Sequence, residues 1–96
     1  MIQRLSMQIN FAKKFKKRYD KADVKIRTAF DKRFAIFLQD PFYSLLNNHA
    51  LTGKYAGSRS IDVTGDWRAI FSEHMDEKDN KVIIFELLGT HSELYK

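Results

Sequence analysis

Apolar residues recur with two different periods along this chain, and the change falls near its middle. Ile2, Leu5, Met7 and Ile9 sit in rough alternation with polar neighbours, which predicts a first strand over 2–9. Asn10 then suits the N-cap of a helix on which Phe11, Phe15 and Tyr19 form one stripe, with Lys13, Lys14, Lys16, Lys17 and Arg18 on the remaining arc. A break follows over Asp20–Asp23, with Asp23 capping a second helix. Ile26, Phe30, Phe34, Phe37 and Leu38 keep helical spacing there until Pro41 forbids continuation. After a polar loop over 47–57, the runs SRSIDV (58–63), WRAIFSEH (67–74) and KVIIFELL (81–88) are rich in β-branched and aromatic residues. They are separated by a Thr-Gly turn and by the acidic turn MDEKDN. Gaps this short predict an antiparallel meander. The reading is α+β: two N-terminal antiparallel helices packed on one face of a small twisted, mainly antiparallel sheet of about four strands. The first strand joins an edge, and the other face stays partly open.

Length and composition narrow the class. Ninety-six residues make one domain over 1–96, and an apolar share of 44% is ordinary for a globular chain. With no cysteine, disulfides and thiolate zinc sites are excluded. The longest apolar runs, AIFL and VIIF, are far short of a membrane span, and the opening MIQR does not read as a signal peptide, so a cytoplasmic location is expected. Charge is uneven: residues 1–40 carry +7 and residues 41–96 carry −2, within a net +5. A lopsided basic half points to an anionic partner or to a solvated helix face.

The stretch HALTGKYAGSRSIDVTGDWRAIF (49–71), followed by the ending GTHSELY, resembles the YafQ branch of the RelE/ParE toxin superfamily. The order of elements is also similar, so the resemblance covers essentially the whole chain and implies a RelE-like fold. It further implies the toxin of a type II toxin–antitoxin system, an endoribonuclease that cuts mRNA in the ribosomal A site without metal or other cofactor. Functional positions carried over by the resemblance are His49, Asp66, Trp67 and His91, with the family's terminal aromatic falling on Tyr95. One position departs from the pattern. The branch often has a second histidine four residues before its Asp-Trp aspartate, and here that residue is Asp62. An ordinary aspartate is already ionised near neutral pH. Asp62 is therefore either a base or orienting group, or the mark of altered activity.

Metal-free RNA cleavage uses the 2′-OH as nucleophile. It needs a base, an acid for the departing 5′ oxygen and a cation for the crowded phosphate, each acid or base contributing typically ~10²–10⁴-fold. His91, where the chain leaves the third meander strand, is expected as general acid or base, and His49 lies in the loop after the second helix. His74 opens the acidic turn and reads as solvated. Asp66 is a proton acceptor or a group that orients His91, and Trp67 offers a stacking face to an unstacked base. A guanidinium grips phosphate with a planar fork, so Arg59 is the expected cation, with Lys54 in the loop ahead of it. For Arg68, on the next strand, the bland alternative is a cross-strand partner of Glu73 or Glu86. Tyr95 serves more readily as a stacking platform than as a base. The dense ending predicts a terminus that folds back to complete the site. Lys13, Lys14, Lys16, Lys17 and Arg18 would dock the protein on ribosomal RNA through phosphates.

The resemblance also implies a cognate antitoxin of DinJ/RelB type as partner, with operator DNA reached only through the antitoxin, and no membrane partner. Three rival readings remain: a ParE-like inhibitor of DNA gyrase on the same scaffold, a catalytically weak toxin that still binds antitoxin, and a metal site. No compact ligand spacing such as HxxxH is present, and no metal is expected.

Overall fold

The computed structural model describes residues 7–96. The chain runs β1 (Met7–Phe11), α1 (Lys13–Lys21), α2 (Val24–Gln39), β2 (His49–Ala50), β3 (Ser58–Asp62), β4 (Trp67–Met75), β5 (Lys81–Thr90) and α3 (His91–Leu94), with single 3-10 turns at Ser44–Leu46 and Gly53–Tyr55. The five strands form one sheet in the order β1-β5-β4-β3-β2, so β1 crosses over to lie beside the last strand. That pairing is parallel, and all other pairings are antiparallel. The three-strand meander and the edge placement of β1 stand as the sequence indicates; Ile2 and Leu5, in the first half of the expected strand, lie outside the described residues.

Two differences have physical causes. Asn10 is not a helix cap: the ladder with β5 continues through Phe11 opposite Phe85, and the Ala12 N–H donates to the Phe85 carbonyl at 2.9 Å. Ala12 is the N-cap and has no side-chain cap bond. Main-chain pairing with a distant strand thus overrides a local capping preference. The second difference is local: the ending folds back, as its density predicts, but as a four-residue helix, α3, and β2 is a two-residue strand in the predicted loop.

Asp23 caps α2 as expected, accepting from the Lys25 N–H at 3.0 Å, and the helix ends at Gln39, two residues before Pro41. The aromatic stripes of α1 and α2 meet the sheet in a core that includes Phe15, Phe30, Phe37, Phe71 and Phe85. Phe85 is its hub: its ring lies 5.4–5.8 Å from those of Phe11, Phe15, Phe30, Phe34, Phe37 and Phe71. Most of these contacts are tilted or edge-on, the arrangements that aromatic quadrupoles favour. Arg33 of α2 donates from one nitrogen to the carbonyls of Leu45 and Asp62, at 3.0 and 2.9 Å, which pins the end of β3 to the helix layer.

Phe85 is fully buried. Phe85→Ala is expected to lower unfolding free energy by about 3–5 kcal/mol, a large part of the stability of a domain this size. Chemical denaturation measures it; a loss below about 1 kcal/mol would show that this ring is not the hub.

Candidate functional site

Because the helices cover one face of the sheet, the polar chemistry collects on the other. There β2, β3, β4 and the tail enclose a cleft of about 480 Å³ whose lining includes His49, Ser60, Arg68, His91 and Tyr95. His49 is placed by the pairing of β2 with β3, which sets it opposite Ser60. Its Nδ1 lies 2.7 Å from the Asn47 carbonyl. A carbonyl only accepts, so Nδ1 is the donor, and in the neutral imidazole Nε2 is left as the acceptor. Asn47 holds that carbonyl in position from a left-handed conformation, φ 49°.

His91 opens α3, which a reciprocal cap organises. The Glu93 N–H donates to Thr90 Oγ1 at 3.2 Å, and the Thr90 N–H donates to Glu93 Oε1 at 2.8 Å. Four further contacts turn the ending back on the body. The His91 N–H donates to the Asp66 carbonyl at 2.9 Å, and Arg18 meets both Glu93 oxygens at 3.1 and 3.2 Å. The Tyr55 hydroxyl donates to the Leu94 carbonyl at 2.5 Å. Leu94 itself is buried over Gly89, where an added Cβ would come within 3.3 Å of the Leu94 side chain. Tyr95 then packs on His91 with ring centroids 4.8 Å apart and edge-on to Tyr55 at 5.4 Å. Burial, with the neighbouring Tyr55 phenol, raises the Tyr95 pKa above its usual 10 against the pull of Arg68. Tyr95 is therefore a neutral hydrogen-bond donor and ring surface at neutral pH.

Arg68, not Arg59, brings positive charge into the cleft. Arg59 occupies the strand position before Ser60, and its guanidinium donates to Asn48 Oδ1 at 2.8 Å and covers the Phe42 ring at 5.2 Å, away from the cleft lining. Arg68 pairs neither with Glu73 nor with Glu86. Its register partner on β3 is Asp62, whose Oδ1 lies 3.0 Å from Arg68 Nε, with both side chains partly buried at 19% and 25% exposure. Glu73 instead meets Lys81, and Glu86 accepts from Ser72.

The remaining positions separate from this group. Asp66 reaches His91 through its carbonyl, not its carboxylate. Trp67 packs against the aromatic core, and one face of its ring is covered by Arg18 at 4.5 Å. Lys54 lies over Tyr55 at 5.1 Å. Lys13, Lys14, Lys16 and Lys17 are exposed along α1, whereas Arg18 is committed to Glu93 and Trp67. His74 belongs to β4 and not to the turn, with Nε2 2.9 Å from Ser72 Oγ. Among the described residues no group of three or more acidic or histidine side chains gathers as a metal would require. Sequence reasoning missed Ser60, whose buried hydroxyl has no hydrogen-bond partner among the described residues. Such a group typically costs about 1–3 kcal/mol.

A family model described as the bacterial toxin of type II toxin–antitoxin systems, YafQ, matches residues 7–96. The chain belongs to the YafQ toxin family. No curated protein matches the sequence. Among solved structures, YafQ of E. coli BL21(DE3) superposes with a TM-score of 0.75 at 20% identity, covering 95% of this chain and all of that one. A YoeB/ParE toxin of Agrobacterium tumefaciens gives 0.71 at 16% identity, over 88% of this chain and 99% of that one. The toxin of an E. coli DinJ–YafQ complex gives 0.64 at 22% identity, covering 95% and 100%. The fold is thus that of the YafQ and YoeB toxins, and this chain is a YafQ-family toxin of the type II class.

The Thr90 N–H, seconded by Arg18, holds the Glu93 carboxyl below the ordinary glutamate value of 4.5, against an opposing burial effect. A depressed folded-state pKa contributes stability that is complete above the unfolded value and lost as pH falls through the folded one. Acidification below about pH 4.5 is therefore expected to release the tail, and Trp67, the single tryptophan and in contact with Arg18, should report it by fluorescence. Glu93→Gln should abolish that transition. A transition unchanged in Glu93→Gln would assign it to another group.

Proposed function

We propose that the cleft is the catalytic centre of an endoribonuclease that cuts mRNA in the ribosomal A site by 2′-OH attack. The observation that carries the reading is that His49 and His91, from opposite ends of the sheet-forming half of the chain, line one cleft with Tyr95 and Arg68. His49 Nε2, free to accept, takes the 2′ proton. His91, the second imidazole of the cleft, protonates the leaving 5′ oxygen. Arg68 supplies positive charge at the phosphate, and Tyr95 supplies a stacking surface and a neutral hydroxyl donor. Asp66 is a positioning residue that anchors the His91 main chain. The exposed lysines of α1 dock on ribosomal RNA.

The antitoxin belongs to the same proposal. One solved structure matched by this chain is a complex of YafQ with DinJ, which supports a cognate antitoxin of that kind covering the basic and cleft surfaces. Binding of operator DNA would then pass through the antitoxin. Asp62 at the histidine position favours a second reading, a weaker nuclease that keeps its antitoxin.

Expression in a bacterial host should arrest growth. His49→Ala or His91→Ala should relieve the arrest and lower cleavage of translated messages by about 10²–10⁴-fold. Full toxicity in His91→Ala would remove that residue from the chemistry. Equal cutting of naked and translated RNA would reject the ribosomal site. Intact messages with blocked DNA supercoiling would favour a gyrase inhibitor.

A further inference from the structure

We propose that Arg68 and Ser60 form an oxyanion seat for a substrate phosphate, and that Asp62 is its resident occupant, displaced when the phosphate arrives. The proposal rests on the nuclease reading for the identity of the ligand, a phosphodiester, but not for the existence of the seat.

Arg68 is held rigidly on one side. Its Nη1 donates to the carbonyls of Thr64, Gly65 and Trp67, at 3.0, 3.2 and 3.1 Å, so the β3–β4 turn fixes the plane of the guanidinium. The opposite edge, Nε and Nη2, is the planar fork that matches two oxygens of a carboxylate or a phosphate. Only half of that fork is engaged. Asp62 Oδ1 stands 3.0 Å from Nε and, among the described residues, makes no aligned hydrogen bond. Asp62 Oδ2 has only a long contact from Asn47 Nδ2, at 3.5 Å. The carboxylate is thus attracted by charge and weakly anchored by geometry, as suits an occupant that leaves.

Ser60 completes the seat. It lies two residues before Asp62, on the same side of β3, and lines the cleft together with Arg68 and His49. Its hydroxyl is buried and has no partner among the described residues, so it is a donor ready for an anionic oxygen. A substrate phosphate satisfies Ser60 and fills the fork of Arg68. Meanwhile the Asp62 carboxylate swings from a site where two anions would repel. In this arrangement Asp62 is a positioning residue: it keeps Arg68 aligned before binding and takes no proton.

The test is binding of pyrophosphate, and of a short RNA whose scissile 2′-OH is replaced by hydrogen, measured by titration calorimetry and anisotropy across a range of salt. Asp62→Asn is expected to tighten both about 10-fold, because no carboxylate then competes with the phosphate for Arg68. Adding Arg68→Lys should erase the gain. Because Asp62→Asn leaves Arg68 without its counter-charge at the end of β3, the wild type gives an independent readout: on adding pyrophosphate, the Arg68 Nε–H resonance should move as Asp62 departs. Unchanged or weaker binding in a folded Asp62→Asn variant, or a fixed Arg68 resonance while His49 and His91 shift, would overturn the seat. Tighter pyrophosphate binding in a protein that cuts no RNA would keep the seat and dismiss the nuclease. Message cleavage with no change in binding would do the reverse.

Discussion

Everything polar in this protein is free to act because one ring cluster takes the whole burden of cohesion. Phe85 collects rings from β1, both long helices and β4, and so glues the helix layer to a single face of the sheet. In a chain this small, two filled faces would leave nowhere for a cleft. Concentrating aromatic area on one side lets the opposite side carry histidines, an arginine and a carboxylate at short range.

The ending is built as a wall of that cleft. Its capped turn, its ion pair to α1 and its main-chain bond to Asp66 are three unrelated kinds of contact converging on four residues. Each is modest alone, and an exposed ion pair contributes little. Together they fix the imidazole of His91 by its backbone, and among the described residues the ring has no hydrogen-bond partner. Arg18 shows how economical the arrangement is: one guanidinium binds the tail and covers Trp67, so it is a structural residue within an otherwise solvated basic helix.

Much of this was readable in the residues. Helical spacing from Phe15 to Phe37 and three β-rich runs indicated the layers, and the resemblance singled out the histidines that the cleft unites. What escaped was governed by distant partners. Phe11 looks helical by spacing but is held by a parallel ladder to β5, a pairing no local pattern encodes. Arg59 is named as the cation for its guanidinium, an argument that Arg68 meets equally well. Counting parity back from Ile61, which is in the core, would have turned Arg59 away from the cleft face, so that signal was present. The reciprocal cap Thr90-x-x-Glu93 was likewise in plain view, yet it marks a helix only when something buries the turn, and Leu94 over Gly89 does so. The Asp62–Arg68 pair depended on cross-strand register, which the Thr64-Gly65 turn sets only once its bonds are known.

The register of β5 shifts once against β4, between Ile70 and Phe71, where Glu86 has no opposite number. Side chains on a strand alternate in twos, so a lone supernumerary residue reverses odd and even from there onward. Phe85 and Leu88 both face inward because of it, and Gly89 arrives on the outer side as the floor under Leu94. Excising Glu86 would accordingly leave an unbroken ladder, with Leu87 to Thr90 keeping their β4 partners and their faces; what the extra residue contributes is the local bend and added twist with which the strand approaches Thr90 and the imidazole after it.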